Sequence, residues 1–353
     1  MSIVLITGSC GLVGSESVEF FYKKGFVILG IDNNSRKEFF GETASINWKK
    51  NELIKKYKYY RHFNLDIRKY KSLERIFKKY KNKISLIIHA AAQPSHDYAK
   101  TKINLDFEIN AIGTLNLLEL TKKYCFKVPF IFMSTNKVYG DNPNKLSLIE
   151  KKKRWEVNNR KYWNGIDENF SIDNCTHSFF GVSKSYGDLL VQEYGKNIGL
   201  KTVTFRAGCI TGSNHSGAKL HGFLSFLVKS CLKNKKYSII GYKGKQVRDN
   251  IHSSDLINCF WEFYKKPTSG EIYNIGGGRF SNCSILEAIE IIEKELNIKI
   301  KKKFVKKSRV GDHIWYISNN SKFMKDYPKW KQVYNTEKII KELINAENLN
   351  VKR

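Results

Sequence analysis

The sequence predicts an α/β protein built on a doubly wound parallel sheet, with a smaller C-terminal α/β lobe. β-rich runs alternate with helical patterns through the first 135 residues, and a glycine-rich turn follows the first of these runs. The later part of the chain mixes helices with short strands. Strands that alternate with helices imply parallel strands joined by right-handed crossovers. The 353 residues, 41% of them hydrophobic, suffice for a core of this kind.

Each predicted strand is a short run rich in β-branched or aromatic residues. In the first part of the chain we place strands at 3–7, 27–31, 59–63, 85–89 and 129–134. Between them, apolar residues at helical spacing predict helices near 13–24, 48–57, 70–80 and 104–124. The second part is predicted to contain helices at 178–197, 221–233, 253–265 and 284–296 and strands near 201–205, 237–240 and 271–275.

Charge and cysteine content narrow the classes of function. The net charge is +29, but the lysines are spread along the whole chain. We therefore expect solvated helix faces that steer anionic substrates, and no nucleic-acid partner. The seven cysteines are scattered with no C-x-x-C pair, which argues against a disulfide framework and against a metal site. Because we find neither a membrane-length apolar run nor a signal segment, we expect a cytoplasmic protein with no membrane partner.

A glycine-rich turn connects the first predicted strand to the first predicted helix. Its sequence is Thr7-Gly8-Ser9-Cys10-Gly11-Leu12-Val13-Gly14. Gly8 permits a tight turn, Gly11 allows the backbone to approach a pyrophosphate, and Gly14 allows close packing of helix on strand. The phosphates would bind at the helix N-terminus, near Leu12 and Val13, where N–H groups and the helix dipole favour negative charge. The pattern predicts a Rossmann-type dinucleotide site.

The ends of the following strands extend this site. Asp32 ends the second predicted strand, where a carboxylate bonds the adenosine ribose hydroxyls and repels a 2′-phosphate, so we predict NAD as cofactor. Further cofactor contacts are expected at strand ends, from Asn33, Asp66, Ile67, Ala90, Ala91 and Ala92. We therefore predict an NAD-binding domain over 1–200, with part of its sheet continuing to about 260, and an interleaved lobe over 205–350.

Motifs in the middle of the chain resemble those of the extended short-chain dehydrogenases/reductases. The motifs are Ser134-Thr135-Asn136-Lys137-Val138-Tyr139-Gly140-Asp141, His177-Ser178-Phe179-Phe180-Gly181-Val182-Ser183-Lys184 and Arg248-Asp249-Asn250-Ile251-His252. They are similar to the sugar-nucleotide epimerases and dehydratases of that family. The first motif and the string Gly244-Lys245-Gln246-Val247-Arg248-Asp249 resemble most of all the CDP-paratose 2-epimerases. The resemblance covers roughly residues 2 to 345.

The resemblance implies an NAD-dependent epimerisation of a CDP-, UDP- or GDP-linked sugar through a transient keto-sugar. Lys184 would hold the nicotinamide ribose, Thr135 would bond the reacting hydroxyl, and Asn110 would belong to the relay shell beside the cofactor. The further substrate contacts that we expect are Asn136, Phe180, His221, Arg248 and Arg309. The resemblance also implies a homodimer paired through the helices near 104–124 and 178–197.

Phe180 stands where the family carries its catalytic tyrosine. It shares a helix face with Lys184, but a phenyl ring cannot transfer a proton. General acid–base catalysis contributes about 10²–10⁴-fold, so its loss would be severe. Three interpretations stay open: a relocated base, an engineered tyrosine-to-phenylalanine variant, or a binder without turnover. The titratable candidates for a relocated base are Lys137, which we favour, Tyr139, His177, Tyr98 and His96.

The reaction catalysed also has alternatives. A nucleotide-sugar 4,6-dehydratase or dehydrogenase would use the same fold, and a non-catalytic nucleotide-sugar binder would explain Phe180. The irregular segment 142–176 lies between the two active-site motifs in the sequence. Since long loops inside compact domains are commonly functional, we predict that this segment forms a wall of the substrate site.

Overall fold

The computed structural model describes residues 1–213, 222–306 and 311–351. Its contacts divide the chain into two compact units. The first unit comprises residues 1–138, 178–206 and 257–273, and the second comprises 139–177, 207–256 and the chain from 274 onward. Each unit is therefore assembled from separate stretches of sequence.

The elements of the described chain follow one another as short strands and mostly short helices. The strands are β1 (Ile3–Thr7), β2 (Val27–Ile31), β3 (Tyr60–Phe63), β4 (Ile84–His89), β5 (Phe130–Thr135), β6 (Leu148–Glu150), β7 (Trp155–Val157), β8 (Thr202–Ala207), β9 (Cys209–Thr211), β10 (Tyr237–Ile240), β11 (Val247–His252), β12 (Glu271–Ile275), β13 (Asn282–Ser284), β14 (Lys302–Val305) and β15 (Trp315–Tyr316). The α-helices are α1 (Leu12–Lys23), α2 (Arg36–Phe40), α3 (Asn47–Lys56), α4 (Tyr70–Tyr80), α5 (His96–Thr101), α6 (Ile103–Phe107), α7 (Gly113–Tyr124), α8 (Ser178–Lys196), α9 (Phe223–Leu232), α10 (Ser253–Lys265), α11 (Ile285–Leu296), α12 (Ser321–Asp326) and α13 (Thr336–Val351).

A seven-stranded sheet organises the first unit, in the order β12-β8-β5-β4-β1-β2-β3. β1 lies between β2 and β4 and pairs with both in parallel, so that Leu5 stands beside Leu29 and Ile87. All five residues of β1 are buried, as a strand covered by helices on both faces requires. The strand order confirms the predicted doubly wound α/β fold.

The predicted helix over 104–124 is interrupted in the structure. α6 ends at Phe107, the segment Glu108–Ile112 is π-helical, and α7 then begins at Gly113. A π-helical turn contains an extra residue and changes the direction of the side chains that follow. Apolar periodicity continues through this turn, which is why the sequence predicted one helix.

The segment 142–176, predicted to be irregular, contains a short antiparallel hairpin. β6 pairs with β7, and Ile149 stands opposite Glu156. Three-residue strands are too short for a recognisable alternation of apolar and polar residues.

The second unit contains a small sheet centred on β11. β11 pairs in parallel with β9 and β15 and antiparallel with β13. Its sequence is mostly polar yet entirely buried, so hydrophobic pattern alone did not predict it. The Asp249 carboxylate shows how this is tolerated, because it accepts backbone hydrogen bonds from Ser318 and Gly278.

A separate apolar core of the second unit is formed by α9, β10, α11 and α13. Leu227, Ile239, Ile289 and Ile340 are buried together there. α13, which contributes one side of this core, was not predicted from the sequence. No helix in the described part of the chain combines the length and the apolar character needed to cross a membrane.

Candidate active site

Two positions in the turn after β1 accept only glycine. Gly8 has a φ of +68°, and a Cβ at this position would lie 2.7 Å from the backbone nitrogen of Ala91. A Cβ on Gly14 would lie 2.0 Å from the Gly8 carbonyl oxygen. The turn therefore packs backbone against backbone at the carboxyl ends of β1 and β4, as a dinucleotide fold requires.

The beginning of α1 is open to an anion. Gly11 is the N-cap residue, its backbone is extended, and no side chain caps the helix through it. A Cβ on Gly11 would meet only the Gly8 carbonyl, at 3.4 Å. Since the first turn of a helix has N–H groups without intrahelical partners, the amides of Leu12 and Val13 can bind phosphate.

Asp32 connects the end of β2 to the glycine turn. Its carboxylate accepts hydrogen bonds from the backbone nitrogens of Cys10, at 3.0 Å, and Asn34, at 2.9 Å. Burial raises the pKa of Asp32, and the two backbone donors oppose that rise. The adjacent Asn33 is exposed, and its side-chain oxygen accepts from Ser35. Asp32 is thus fixed beside the glycine turn, and its contact with an adenosine ribose stays a prediction.

The predicted adenine edge contains a tight ion pair. The Arg68 guanidinium donates to both carboxylate oxygens of Asp66, with Nη2 at 2.7 Å. Burial alone raises the pKa of Asp66, but Arg68 outweighs it and the pKa lies below its ordinary value. Ile67 is buried against Gly113, where a Cβ would approach it to 2.5 Å. Asp66 is therefore ionised and held in place by the protein.

The end of β4 is joined to β1 through a buried histidine. Nδ1 of His89 lies 2.8 Å from Thr7 Oγ1, which also accepts from the backbone of Ala91. Burial and the nearby Lys184 lower the pKa of His89 well below its ordinary value, so the imidazole is neutral. Ala90 and Ala92 flank this connection and are half-buried. Their small side chains leave space beside the glycine turn, which fits the predicted cofactor position.

Lys184 is buried at the end of β5. Its Nζ donates to the Met133 carbonyl at 2.7 Å and lies 4.2 Å from the centre of the Phe132 ring. Burial lowers its pKa to about 7, although Asp188 and Asp106 act in the opposite direction. Lys184 therefore carries a proton that can be lost near neutral pH.

Thr135 is the last residue of β5, two positions beyond the carbonyl that Lys184 contacts. Its hydroxyl accepts the backbone N–H of Lys137 at 3.2 Å, which leaves the hydroxyl proton available for donation. Asn136 is buried and Lys137 half-buried in the turn that follows. Thr135 and the carbonyl that Lys184 contacts thus lie two positions apart on β5.

Asn110 lies in the π-helical turn, and its side-chain amide is hydrogen-bonded to other residues of the protein. Its amide nitrogen donates to Gln93 O and to Ser183 Oγ, both at 3.0 Å, and its oxygen accepts from Gln93 N at 2.9 Å. Gln93 also donates to the buried Asp106. This network connects α8 to the residues after β4, and both polar atoms of the Asn110 side chain take part in it.

Phe180 is buried on α8 with an imidazole against its ring. The ring centroids of His96 and Phe180 are 4.8 Å apart, at an interplanar angle of 60°. Nδ1 of His96 lies 3.0 Å from Ser178 Oγ. Ser178 has a φ of +66°, in the left-handed region that non-glycine residues rarely adopt. His96 was among the candidate bases, but its contact with Ser178 was not predicted, because the two residues are 82 positions apart in the sequence.

The side chains of three other candidate bases, Tyr98, Tyr139 and His177, each contact another residue of the protein. The Tyr98 hydroxyl donates to Glu38 at 2.6 Å, and burial followed by Glu38 raises its pKa to about 12. In the second unit, the buried Tyr139 hydroxyl donates to Asn274 at 2.8 Å. The His177 ring lies 3.4 Å from the Cys175 sulfur, and burial lowers its pKa. Both tyrosine hydroxyls are therefore occupied by acceptors of the protein.

Arg248 is the one expected phosphate ligand within the described residues. It is buried in β11, where Nη1 donates to the Val247 carbonyl at 2.8 Å and Nη2 pairs with Asp312. His221 and Arg309, the other two residues expected near the nucleotide, lie outside the described residues. The guanidinium of Arg248 is thus pre-oriented by a carboxylate within the second unit.

One buried ion pair of the first unit was not predicted at all. Asp188 accepts from Ser134 Oγ at 2.5 Å and from Arg206 Nε at 3.0 Å. It lies one helical turn beyond Lys184 and therefore contributes negative charge near that amine. The only local signal of this contact is a serine directly after the apolar run Phe130-Ile131-Phe132-Met133.

The doubly wound sheet, the glycine turn and the carboxylate at the end of β2 define a dinucleotide-binding α/β protein. Residues 4–276 match the NAD dependent epimerase/dehydratase family, and the chain belongs to that family. This confirms the predicted family and the predicted cofactor, NAD. The close-packed glycines, the open start of α1 and Asp32 are the features of this structure that fit NAD.

Characterised relatives carry out more than one reaction. The chain is 31% identical to a CDP-paratose 2-epimerase of Salmonella typhi over 84% of its own length and 86% of that protein. It is also 31% identical to a dTDP-D-glucose 4,6-dehydratase of Dictyostelium discoideum, over 84% of this chain and 62% of that protein. A UDP-glucuronic acid 4-epimerase of Bacillus cereus, solved with UDP-glucuronic acid and NAD, has the same fold, with a TM-score of 0.78, 24% identity and coverage of 98% and 99%.

Proposed function

We propose that the protein is an NAD-dependent nucleotide-sugar epimerase that acts through a transient keto-sugar, with a CDP-linked deoxysugar as the substrate class. The position of Lys184 and Thr135 at the end of one strand carries the proposal. A buried amine beside a hydroxyl at the carboxyl end of a parallel sheet suits oxidation of a carbinol carbon next to a dinucleotide. The likeness to a CDP-paratose 2-epimerase supports the choice of substrate.

The residues have separate roles in this proposal. When bound, NAD supplies a hydride acceptor that can also return the hydride. Lys184 donates to the nicotinamide ribose and stabilises negative charge nearby, for which its buried position is suited. Thr135 donates its hydroxyl proton to the reacting oxygen of the sugar, and Arg248 binds the diphosphate with its guanidinium fork.

Epimerisation is favoured over dehydration by the comparison with relatives. At the same identity of 31%, the match covers 86% of the CDP-paratose 2-epimerase and 62% of the dTDP-D-glucose 4,6-dehydratase. The dehydratase remains the second candidate because of the likeness to the Dictyostelium discoideum enzyme.

Proton NMR of the reaction mixture tests the proposal. The full chain is incubated with NAD⁺ and CDP-paratose, UDP-glucose or dTDP-glucose in parallel. A new anomeric signal from an epimer supports the proposal, and a keto product that has lost water supports the dehydratase. Thr135→Val serves as the site variant, with Glu337→Gln, at an exposed position of α13, as its control. Turnover that survives in Thr135→Val would contradict the assigned site.

The proposal includes a homodimer formed through α6 and α8. Apolar side chains are exposed on these helices of the first unit: Ile103, Phe107, Phe179, Val182, Tyr186 and Leu189. Exposed apolar surface of this extent commonly marks a protein interface. The rings of Phe107 and Tyr186 lie 5.5 Å apart and connect the two helices into one surface.

The proposal also places the protein in the cytoplasm, in the biosynthesis of a polysaccharide. All seven cysteines are free, which suits a reducing compartment. An epimerised nucleotide sugar is a donor for glycosyl transfer, which is the step that would consume the product.

A further inference from the structure

We infer that Tyr60 is a positioning residue for the dinucleotide, whose hydroxyl fixes the glycine turn against Asp32. The inference goes beyond the proposed function, because it concerns how the chain holds NAD and does not depend on the reaction that follows. Tyr60 begins β3, and its hydroxyl lies 3.0 Å from Oγ of Ser9, which is 51 positions away in the sequence. Ser9 belongs to the glycine turn, and both side chains are buried.

Gly30 provides the space for this contact. β2 lies between β1 and β3, and Gly30 pairs with Ile6 on one side and with His62 on the other. A Cβ on Gly30 would lie 2.5 Å from the Tyr60 hydroxyl oxygen and 2.6 Å from Ser9 Oγ. The Tyr60 side chain therefore extends from β3 across β2, through the space that a side chain at position 30 would fill, to the turn after β1.

The Tyr60 hydroxyl has a second partner, Nδ1 of His62, also at 3.0 Å. If this nitrogen carries a proton, it donates to Tyr60, and Tyr60 donates to Ser9. If it does not, Tyr60 donates to His62, and Ser9 donates to Tyr60. The contact with Ser9 is therefore satisfied in either tautomer of the histidine. Burial raises the pKa of Tyr60, so the hydroxyl keeps its proton.

The backbone of the glycine turn connects Ser9 to Asp32. The Ser9 nitrogen donates to the Ile31 carbonyl at 3.3 Å, and the next nitrogen along the chain, of Cys10, donates to the Asp32 carboxylate at 3.0 Å. Since Ser9 is fully buried, its hydroxyl acts on the cofactor through the position of this backbone. A site that is ordered before its ligand arrives binds more tightly, because less ordering is required on binding. Tyr60 therefore contributes to NAD affinity by holding the turn and Asp32 together.

Titration of dinucleotide-free protein with NAD tests the inference, at a temperature at which every variant is folded. Tyr60→Phe keeps the ring and removes one oxygen. We expect its NAD dissociation constant to rise at least about fivefold, as the loss of a buried hydrogen bond allows. Ser9→Ala removes the other hydroxyl of the contact and should give a similar rise. Because both changes break the same contact, the double variant should bind NAD no more weakly than the weaker single variant.

Tyr124→Phe is the matched control in the same unit. Tyr124 ends α7, and its hydroxyl donates to Glu74 on α4 at 2.9 Å. A thermal melt should show a loss of stability in this variant, as in Tyr60→Phe, whereas its NAD dissociation constant should stay at the wild-type value. An equal loss of NAD affinity in both variants would mean that the affinity follows overall stability, and the inference would be wrong.

Asp32→Ala separates positioning from a purely structural role. Asp32→Ala should itself weaken NAD binding. When Tyr60→Phe is added to it, the further loss should be less than about twofold, because the carboxylate that Tyr60 positions is gone. A further loss as large as in the wild-type background would overturn the inference, and so would wild-type NAD affinity in Tyr60→Phe or in Asp32→Ala. No nucleotide sugar is present in these titrations, so their outcome is independent of the proposed reaction.

Discussion

Lys184 donates from Nζ to the main-chain carbonyl of Met133 at 2.7 Å, within a buried site at the end of β5. This carbonyl accepts a hydrogen bond from the amine, but it has no negative charge to offset the positive charge of a protonated lysine. Burial therefore dominates, and the pKa falls to about 7. The catalytic role proposed for this lysine thus has a cost in stability that depends on pH.

The first prediction concerns that dependence, in protein freed of dinucleotide. Because the folded pKa of Lys184 is lowered to about 7, the unfolded chain binds more protons from about pH 7 up to the ordinary lysine value. The contribution of Lys184 to the free energy of unfolding therefore rises with pH from about pH 7 up to the ordinary lysine pKa. Relative to Lys184→Met, the wild type should gain on the order of 1–2 kcal/mol in free energy of unfolding between about pH 7 and 9.

Urea unfolding of both proteins at a series of pH values measures this difference. Lys55→Met, at an exposed position on α3, is the control and should give a difference that does not change with pH. If the free energies of unfolding of the wild type and Lys184→Met change with pH in the same way, the lysine keeps an ordinary pKa in the folded state.

The second prediction separates two glycines of the same turn. Gly14→Ala places a Cβ 2.0 Å from a backbone oxygen, so the turn must shift and the free protein should lose stability by about 2 kcal/mol or more. Gly11→Ala meets only one atom at 3.4 Å and should leave the melting temperature nearly unchanged. NAD affinity should nevertheless fall at least about tenfold in Gly11→Ala, because a methyl group would occupy the approach to the pyrophosphate. Thermal melts measure the change in stability, and NAD titration measures the change in affinity. An unchanged NAD affinity in Gly11→Ala would mean that the pyrophosphate does not bind at this turn.

The third prediction concerns the choice between NAD and NADP. Asp32→Asn keeps the shape of the side chain and removes the charge that repels a 2′-phosphate. We expect the ratio of NADP to NAD dissociation constants to fall by about tenfold, equal to about 1.4 kcal/mol. Fluorescence titration with each dinucleotide measures the ratio, with Glu337→Gln, at an exposed position of α13, as the charge-matched control. A ratio that stays constant would mean that another residue discriminates the ribose.

The fourth prediction tests the proposed dimer. Val182→Glu and Leu189→Glu each place a carboxylate at a side chain that is 53% and 46% exposed, respectively, on α8. Neither change disturbs the core of the first unit, but burial of an unpaired charge at an interface is strongly unfavourable. Light scattering after size exclusion should show a dimer for the wild type and a monomer for each variant. Phe304→Glu, at an exposed position of β14 in the second unit, should remain dimeric.

The elements of the first unit could be predicted because short-range sequence patterns specify them. The glycine turn, the alternation of strands and helices and the carboxylate after β2 are each specified by residues close in sequence, because tight turns and helix starts constrain φ and side-chain size locally. The same holds for Phe180 and Lys184, whose spacing of four places them on one face of α8 whatever surrounds the helix.

Tertiary structure alone decided the contacts between distant segments. β11 was not predicted since its buried polar residues are satisfied by partners far along the chain, such as Ser318 for Asp249. Within the π-helical turn, the side chain of Asn110 bonds to Gln93 and Ser183, and no local pattern indicates these distant partners. In the same way, the sequence places a phenylalanine in the tyrosine position, but only the folded chain brings His96 to its ring. The periodicity of apolar residues predicts which face of a helix or strand is buried. Which residues pack against that face depends on the tertiary structure, because they come from segments distant in the sequence.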